Sequence, residues 1–192
     1  MNILVSINKN DSKCKIFNKN LVDYTVKNLE GQHKLYIYSD VEEIQERFKS
    51  RIIEAKSEID ALVKFSKDKK TYMFINRLAL CNINMENLIK YHTNHDKEIT
   101  VVSKNFVKDK SIPIYKLNDK KDIMSVTRKR FADCGIYLFK NNDIDFSKYK
   151  NMYSIILDAI KNSKIKGFVH KGYWWTSSNI RRRNNGKSFN AR

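Results

Sequence analysis

The chain has 192 residues, of which 41% are hydrophobic and 31% charged, with ten Phe, ten Tyr and two Trp; that excludes a disordered chain and suffices for one buried core. Thirty-eight Lys plus Arg against 21 Asp plus Glu give a formal net charge of +17, which excludes a near-neutral surface and makes a polyanion, nucleic acid first, the natural partner. No run of 18 apolar residues occurs, and Met1 to Ile7 lack the charged flank and long apolar stretch of a signal peptide, so no membrane association and a cytoplasmic location are expected.

Taken in chain order, residues 3–7 form a short apolar run of the kind a buried parallel strand shows, and residues 8–13 read as a polar loop. Leu21, Thr25 and Leu29, with Val22 and Val26, recur at helical spacing, and Gly31 stands just after them as a stop. A second strand at 34–39 leads into a helix over 41–48, capped by Ser39-Asp40 and carrying Glu42 and Glu43 in its first turn. A helix over 57–67, a strand at 72–75, a helix from Asn84 to Tyr91 and a strand at 98–103 continue the rhythm. Shorter β segments follow around 112–117 and 123–127, then a strand at 135–139, a helix over 152–161 and a strand at 165–170.

Strands alternating with helices predict an α/β fold with a doubly wound, mostly parallel central sheet. The segments 3–7, 35–38, 72–75 and 99–102 are expected as neighbouring core strands with helices on both faces. No internal boundary is visible, so residues 1–179 are read as one domain. Residues 180–192 hold five basic and no acidic side chains and read as a basic C-terminal tail.

Cys14, Cys81 and Cys134 are odd in number and widely separated in apolar settings, so they read as reduced small hydrophobes. His33, His92, His95 and His170 lack metal-ligand spacing and read as surface histidines. No metal site and no cofactor are expected. The composition is rich in Lys, Asn and Ile, a bias that raises Lys without selection for binding. The run Arg181-Arg182-Arg183 stands apart from that bias.

The order of these elements and several local phrases resemble the sugar-phosphate nucleotidyltransferases, which join a nucleotide to a sugar 1-phosphate or a phosphorylated alcohol and release pyrophosphate. The likeness is carried by Asn20 to Thr25, by Leu35 to Phe48, by Tyr72 to Val102 with Leu88 to His92 inside it, by Cys134 to Phe139 and by Gly172-Tyr173-Trp174. It covers nearly the whole chain and implies a Rossmann-like nucleotidyltransferase fold, shortened and degenerate.

The departures bear on function. The family's phosphate cradle is a glycine-rich loop with an arginine after the first strand; here Asn8-Lys9-Asn10-Asp11-Ser12 stands in its place, and Gly31 is the first glycine of the chain. The family's two magnesium aspartates fall on Leu78 and Thr176, which lack the hard anionic oxygens a phosphate-bridging cation favours. The family's sugar-binding Glu-Lys-Pro falls on Arg128-Lys129-Arg130, which keeps only the lysine.

These readings imply a non-catalytic nucleotidyltransferase-like protein that binds DNA or RNA through a basic surface. Arg128, Lys129, Arg130, Arg181, Arg182, Arg183, Lys187 and Arg192 are its phosphate-binding candidates, and Tyr173, Trp174 and Trp175 its candidates for base stacking. The competing reading of Trp174 and Trp175 is core and rim at the edge of the old active site. Two other functions stay open: a divergent magnesium-dependent sugar-phosphate nucleotidyltransferase, and a regulatory or interaction subunit whose basic surface meets an acidic protein.

Overall fold

The computed structural model describes residues 1–16, 18–31, 33–105, 114–127, 131–140, 144–178 and 180. It opens on β1 (Asn2–Ile7), buried over its last five residues. The segment read as a polar loop winds into one helical turn, α1 (Lys9–Ser12), because the Asn8 side chain accepts the backbone N–H groups of Asn10 and Asp11. A two-residue ribbon, β2 (Lys15–Ile16) and β3 (Lys19–Asn20), precedes α2 (Leu21–Leu29), which Asn20 caps.

Then come β4 (Lys34–Ser39), α3 (Glu42–Arg47), α4 (Glu58–Ser66), β5 (Thr71–Ile75), β6 (Ala79–Cys81), α5 (Met85–Thr93) and β7 (Ile99–Asn105). The chain continues through β8 (Ile114–Leu117), β9 (Ile123–Thr127), β10 (Phe131–Lys140), α6 (Met152–Lys161), β11 (Ile165–His170) and β12 (Trp174–Thr176). Ser57 and Asn84, where the sequence predicts these helices to begin, cap α4 and α5. At α3 the cap is indirect: Val41 is the capping residue, and its backbone N–H is held 3.1 Å from Ser39 Oγ.

The main sheet runs β11-β7-β10-β5-β1-β4, with β8 and β9 attached beside β10. β4, β1 and β5 are parallel neighbours, and β11 is parallel to β7. The expected adjacency of 72–75 and 99–102 is corrected here. β10 lies between them, antiparallel to both, and is ten residues long rather than the five read from 135–139. A strand buried on both faces shows a continuous apolar run in either direction, so sequence pattern alone does not report its polarity.

Strand alternation sorts the core into two layers. Ile3, Val5 and Ile7 pack with Leu21, Val22, Val26 and Ile44 on one face, while Leu4 packs with Ile59, Leu62 and Phe65 and with Ile155, Ile156 and Ala159 on the other. Helices α2, α3 and α5 therefore cover one face, and α4 and α6 the other. Ile180, read as the start of the tail, is 7% exposed and belongs to the first layer. No described helix is long and apolar enough to cross a membrane.

Two histidines depart from the surface reading. His92 is fully buried and His170 is 7% exposed. An imidazole on the inner side of α5 or at the end of β11 is covered by the sheet, and its short polar ring gives no periodicity signal against that.

At the start of α6, Asn151 and Ser154 form a reciprocal capping box: Asn151 Oδ1 accepts from the Ser154 backbone at 3.0 Å, and Ser154 Oγ accepts from the Asn151 backbone at 3.4 Å. Replacing Asn151 by Ala is expected to cost about 1 kcal/mol, a drop of roughly 2–4 °C in thermal midpoint. A melt followed by circular dichroism at 222 nm checks it, and an unchanged midpoint removes the box from the stability of α6.

Candidate functional site

The chain leaves β1 toward β4 on one side and reaches β5 on the other, so the strand order switches at β1 and opens a crevice beyond the carboxyl ends of β1 and β5. A cleft of about 260 Å³ lies here, lined by Glu58, Asn76, Arg77, Tyr115, Asp133 and Tyr137 and by the first turn of α6. Glu58 comes from the first turn of α4. Its carboxylate accepts from Ser6 Oγ at 2.9 Å and from Asn76 Nδ2 at 3.3 Å.

Asp133 sits where the β10–β7 register shifts, and is 2% exposed. One carboxylate oxygen accepts from Tyr115 and Tyr137 at 2.6 and 2.7 Å, and the other accepts the Gly135 N–H at 2.7 Å. Arg77 donates to the Asp133 carbonyl at 3.0 Å. Gly135 adopts φ +70° and lies against Asn76 and Arg77, so the glycine of the Cys134-Gly135-Ile136 phrase is what lets β10 bulge beside β5.

Burial pushes the Glu58 and Asp133 carboxyls above the usual carboxylate range. Hydrogen bonds from Ser6 and Asn76 oppose this at Glu58, those from Tyr115, Gly135 and Tyr137 oppose it at Asp133, and the Arg77 charge opposes it at both. The Tyr115 and Tyr137 phenols stay protonated, raised by burial first and by the Asp133 charge second. The arrangement is a satisfied, rigid polar wall that can hydrogen-bond a small polar molecule. None of these cleft residues stands among the candidates read from the sequence. Glu58 reads there as a first-turn residue of a helix, and Asp133 gains meaning only from the bulge that Gly135 permits.

The positions matching the family's cradle and metal aspartates come together at the same end of the sheet. β6 and β12 pair so that Thr176 faces Ala79, next to Leu78. Leu78 is fully buried in the first core layer. Thr176 is 2% exposed and its hydroxyl lies 2.8 Å from Ser178 Oγ. Behind them Asp11 is 2% exposed, with Ser177 Oγ at 2.7 Å from one carboxylate oxygen and Asn8 Nδ2 at 2.8 Å from the other. An alkyl side chain, a hydroxyl and one carboxylate engaged on both oxygens do not fit a magnesium ion that bridges phosphates. Among the described residues, no three His, Cys, Asp or Glu side chains converge on a metal-holding point.

Of the residues singled out from the sequence, Arg128, Lys129, Arg130, Arg181, Arg182, Arg183, Lys187 and Arg192 lie outside the described residues. Trp174 is corrected: it is 2% exposed, packed in the first core layer, and unavailable to a base. Tyr173, just before β12, and Trp175 flank it in sequence and are 43% and 41% exposed, with ring centroids 5.5 Å apart.

Strand order, layers and switch-point crevice define a nucleotidyltransferase-like α/β fold. Two solved structures carry the same fold. One is a glucose-1-phosphate thymidylyltransferase, by its description, from Bacillus anthracis in complex with sucrose: TM-score 0.72, 11% identity, 99% of this chain and 96% of that one covered. The other is CMP:2-keto-3-deoxy-manno-octonic acid synthetase complexed with CTP, with TM-score 0.66, 12% identity and 88% of each chain covered. No protein-family model matches the sequence, and no curated protein does.

Proposed function

We propose that the protein is a non-catalytic member of this fold that binds nucleic acid through its basic surface. The observation that carries the reading is the buried Asp11–Ser177 contact beside Leu78 and Thr176. Where a nucleotidyltransferase of the resembling family needs glycine N–H groups and two metal-holding carboxylates for a triphosphate, this chain presents a closed turn, a buried carboxylate and an alkyl side chain. A carboxylate engaged there repels phosphate rather than receiving it. The net charge of +17 meanwhile supplies phosphate affinity over the surface at large.

Arg181, Arg182 and Arg183, with Arg128, Lys129 and Arg130, are assigned the principal phosphate contacts, and phosphate contacts give affinity with little base specificity. The open cleft at Glu58 and Asp133 supports a second reading, a divergent enzyme acting on a small polar substrate such as a sugar phosphate, the kind of molecule that one of its structural neighbours is named for.

The test is a salt titration of duplex and single-stranded DNA and RNA binding, run beside calorimetry with each nucleoside triphosphate and Mg²⁺. The logarithm of the binding constant is expected to fall by about 0.9 per phosphate contact on duplex DNA for each tenfold rise in salt. Replacing Arg181, Arg182 and Arg183 together by Ala is expected to flatten that slope by roughly two to three units. Absence of binding at low salt overturns the proposal in favour of an acidic protein partner. Metal-dependent triphosphate binding, or pyrophosphate release with a sugar phosphate, establishes the enzyme reading.

A further inference from the structure

We infer that the ribbon of β6 and β12 is a stacking platform for unpaired bases, with Tyr173 and Trp175 as its two rings, so that the preferred nucleic acid is single-stranded; this rests on the nucleic-acid reading above. Trp175 on β12 and Tyr173, two residues before it and just ahead of the strand, are both exposed, and Trp174 between them is buried. The alternation puts one tryptophan in the core as an anchor and leaves the other on the surface beside a tyrosine. Their rings tilt 37° to one another at a centroid distance of 5.5 Å, and both stay partly exposed, which leaves aromatic surface on which a base can stack.

The backbone beneath the rings is held at several points. The Lys104 ammonium donates to the Gly172 carbonyl, and the His170 imidazole, kept neutral by burial, bonds the Tyr173 carbonyl through Nε2 at 3.0 Å. A neutral imidazole can give that bond only as the Nε2–H tautomer. Gly172 packs so closely on the Asn82 side chain that a Cβ would overlap it. On the other side, Trp174, Trp175 and Thr176 pair with Cys81, Leu80 and Ala79. A platform fixed before binding loses little conformational freedom on contact.

Charge selects the occupant. Residues 171–178 and the strand β6 contain no Asp or Glu, and the Asp11 carboxylate that Ser177 engages is buried, 2% exposed, while Lys171 precedes the platform and is exposed. A neutral sugar ring would also stack on these faces, but it gains nothing from a +17 protein, whereas each phosphate of a strand does. A duplex keeps its bases stacked inside and cannot offer them to the rings.

The molecule carries its own probe, because its two tryptophans divide into the buried Trp174 and the exposed Trp175. Titrating the full chain with oligothymidine is expected to quench the Trp175 part of the emission and leave the Trp174 part. Trp175→Ala with Tyr173→Ala is expected to weaken oligothymidine binding at least about tenfold, leave duplex binding within about twofold, and leave the salt slope unchanged, because stacking releases no counterions. Trp175→Phe is expected to restore most of the loss, and a circular dichroism melt reports whether each variant keeps its fold. Equal affinity of wild type for single strand and duplex, no quenching on saturation, or an unaltered double variant overturns the platform while leaving the basic-surface reading intact. Quenching by a neutral oligosaccharide and not by oligothymidine also overturns it, in favour of a glycan. Absence of all nucleic-acid binding removes both readings together.

Discussion

Between pH 7 and pH 5 the protein is expected to lose roughly 2 kcal/mol of stability through His92 alone. The Thr100 hydroxyl lies 2.7 Å from both His92 Nδ1 and His95 Nε2, and bridges the two imidazoles between α5 and β7. One hydroxyl hydrogen serves one ring while the oxygen takes a proton from the other, so Thr100 can serve both rings only while both are neutral. Burial first, then the neighbouring positive charges, holds His92 down to about 3 and His95 down to about 4. For His92 those charges are His95 and Lys140, and for His95 they are Lys140 and Lys166, with Asp96 opposing.

A histidine depressed in the folded state contributes stability above its unfolded value near 6.5, and that stability is lost as pH falls from there toward the folded value. Glu58 and Asp133 act with the opposite sign: their raised carboxyls recover stability as they take up protons on acidification. The histidine contribution is therefore isolated by comparing wild type with His92→Gln. Urea midpoints at pH 7, 6 and 5 are expected to fall more steeply in wild type, by up to about 1.4 kcal/mol per pH unit below 6.5. Parallel pH profiles for the two proteins would remove His92 from the acid response. The offset that the substitution itself causes does not enter, since only the slopes are compared.

The sequence located most elements because each was announced locally. Helices α4 to α6 each begin at a serine or asparagine with an apolar stripe behind it, β1 and β5 are compact apolar runs, and β4, β7 and β11 carry apolar residues at buried positions. What it did not give was the polarity of β10 and the short ribbons. Three-residue strands such as β6 and β12 are too brief for any period to show, and their pairing is a long-range event. The two tryptophans of β12 illustrate the cost: side by side in sequence they look equivalent, and only pairing with β6 decides which faces the core. The cleft was illegible for a related reason. Its polar groups come from α4, the end of β5, β8, β10 and the start of α6, five separated places, and none carries a motif by itself. The altered cradle and metal positions, by contrast, could be read directly, since the absence of a glycine or an aspartate at a matched position needs no coordinates.

Gly135→Ala is expected to destabilise the protein by about 2–5 kcal/mol and to disorder one wall of the cleft, where Gly31→Ala costs about 1–2 kcal/mol. Both glycines have positive φ, +70° at Gly135 and +92° at Gly31, so both variants carry the left-handed penalty of a residue with a Cβ. They differ in their surroundings. A Cβ at Gly31 meets nothing within 4 Å, whereas one at Gly135 would lie 2.5 Å from Arg77 Cβ and 2.8 Å from Asn76 Oδ1. The neighbour in the way is the base of a side chain, next to backbone, and it cannot swing aside as a flexible tip would. Relief requires β5 and β10 to separate at the point where Asn76 N–H donates to the Gly135 carbonyl at 2.9 Å. That shift strains the Arg77 bond to the Asp133 carbonyl, the Gly135 N–H bond to the Asp133 carboxylate and the Asn76 bond to Glu58, which together build the cleft wall. Chemical denaturation of the two variants gives the stability difference. Hydrogen exchange at 133–137 is expected to quicken in Gly135→Ala and to stay at the wild-type rate in Gly31→Ala. Equal costs for the two substitutions would mean that the Asn76–Arg77 backbone yields freely, and that the cleft is not held rigid by the close approach of β10 to β5.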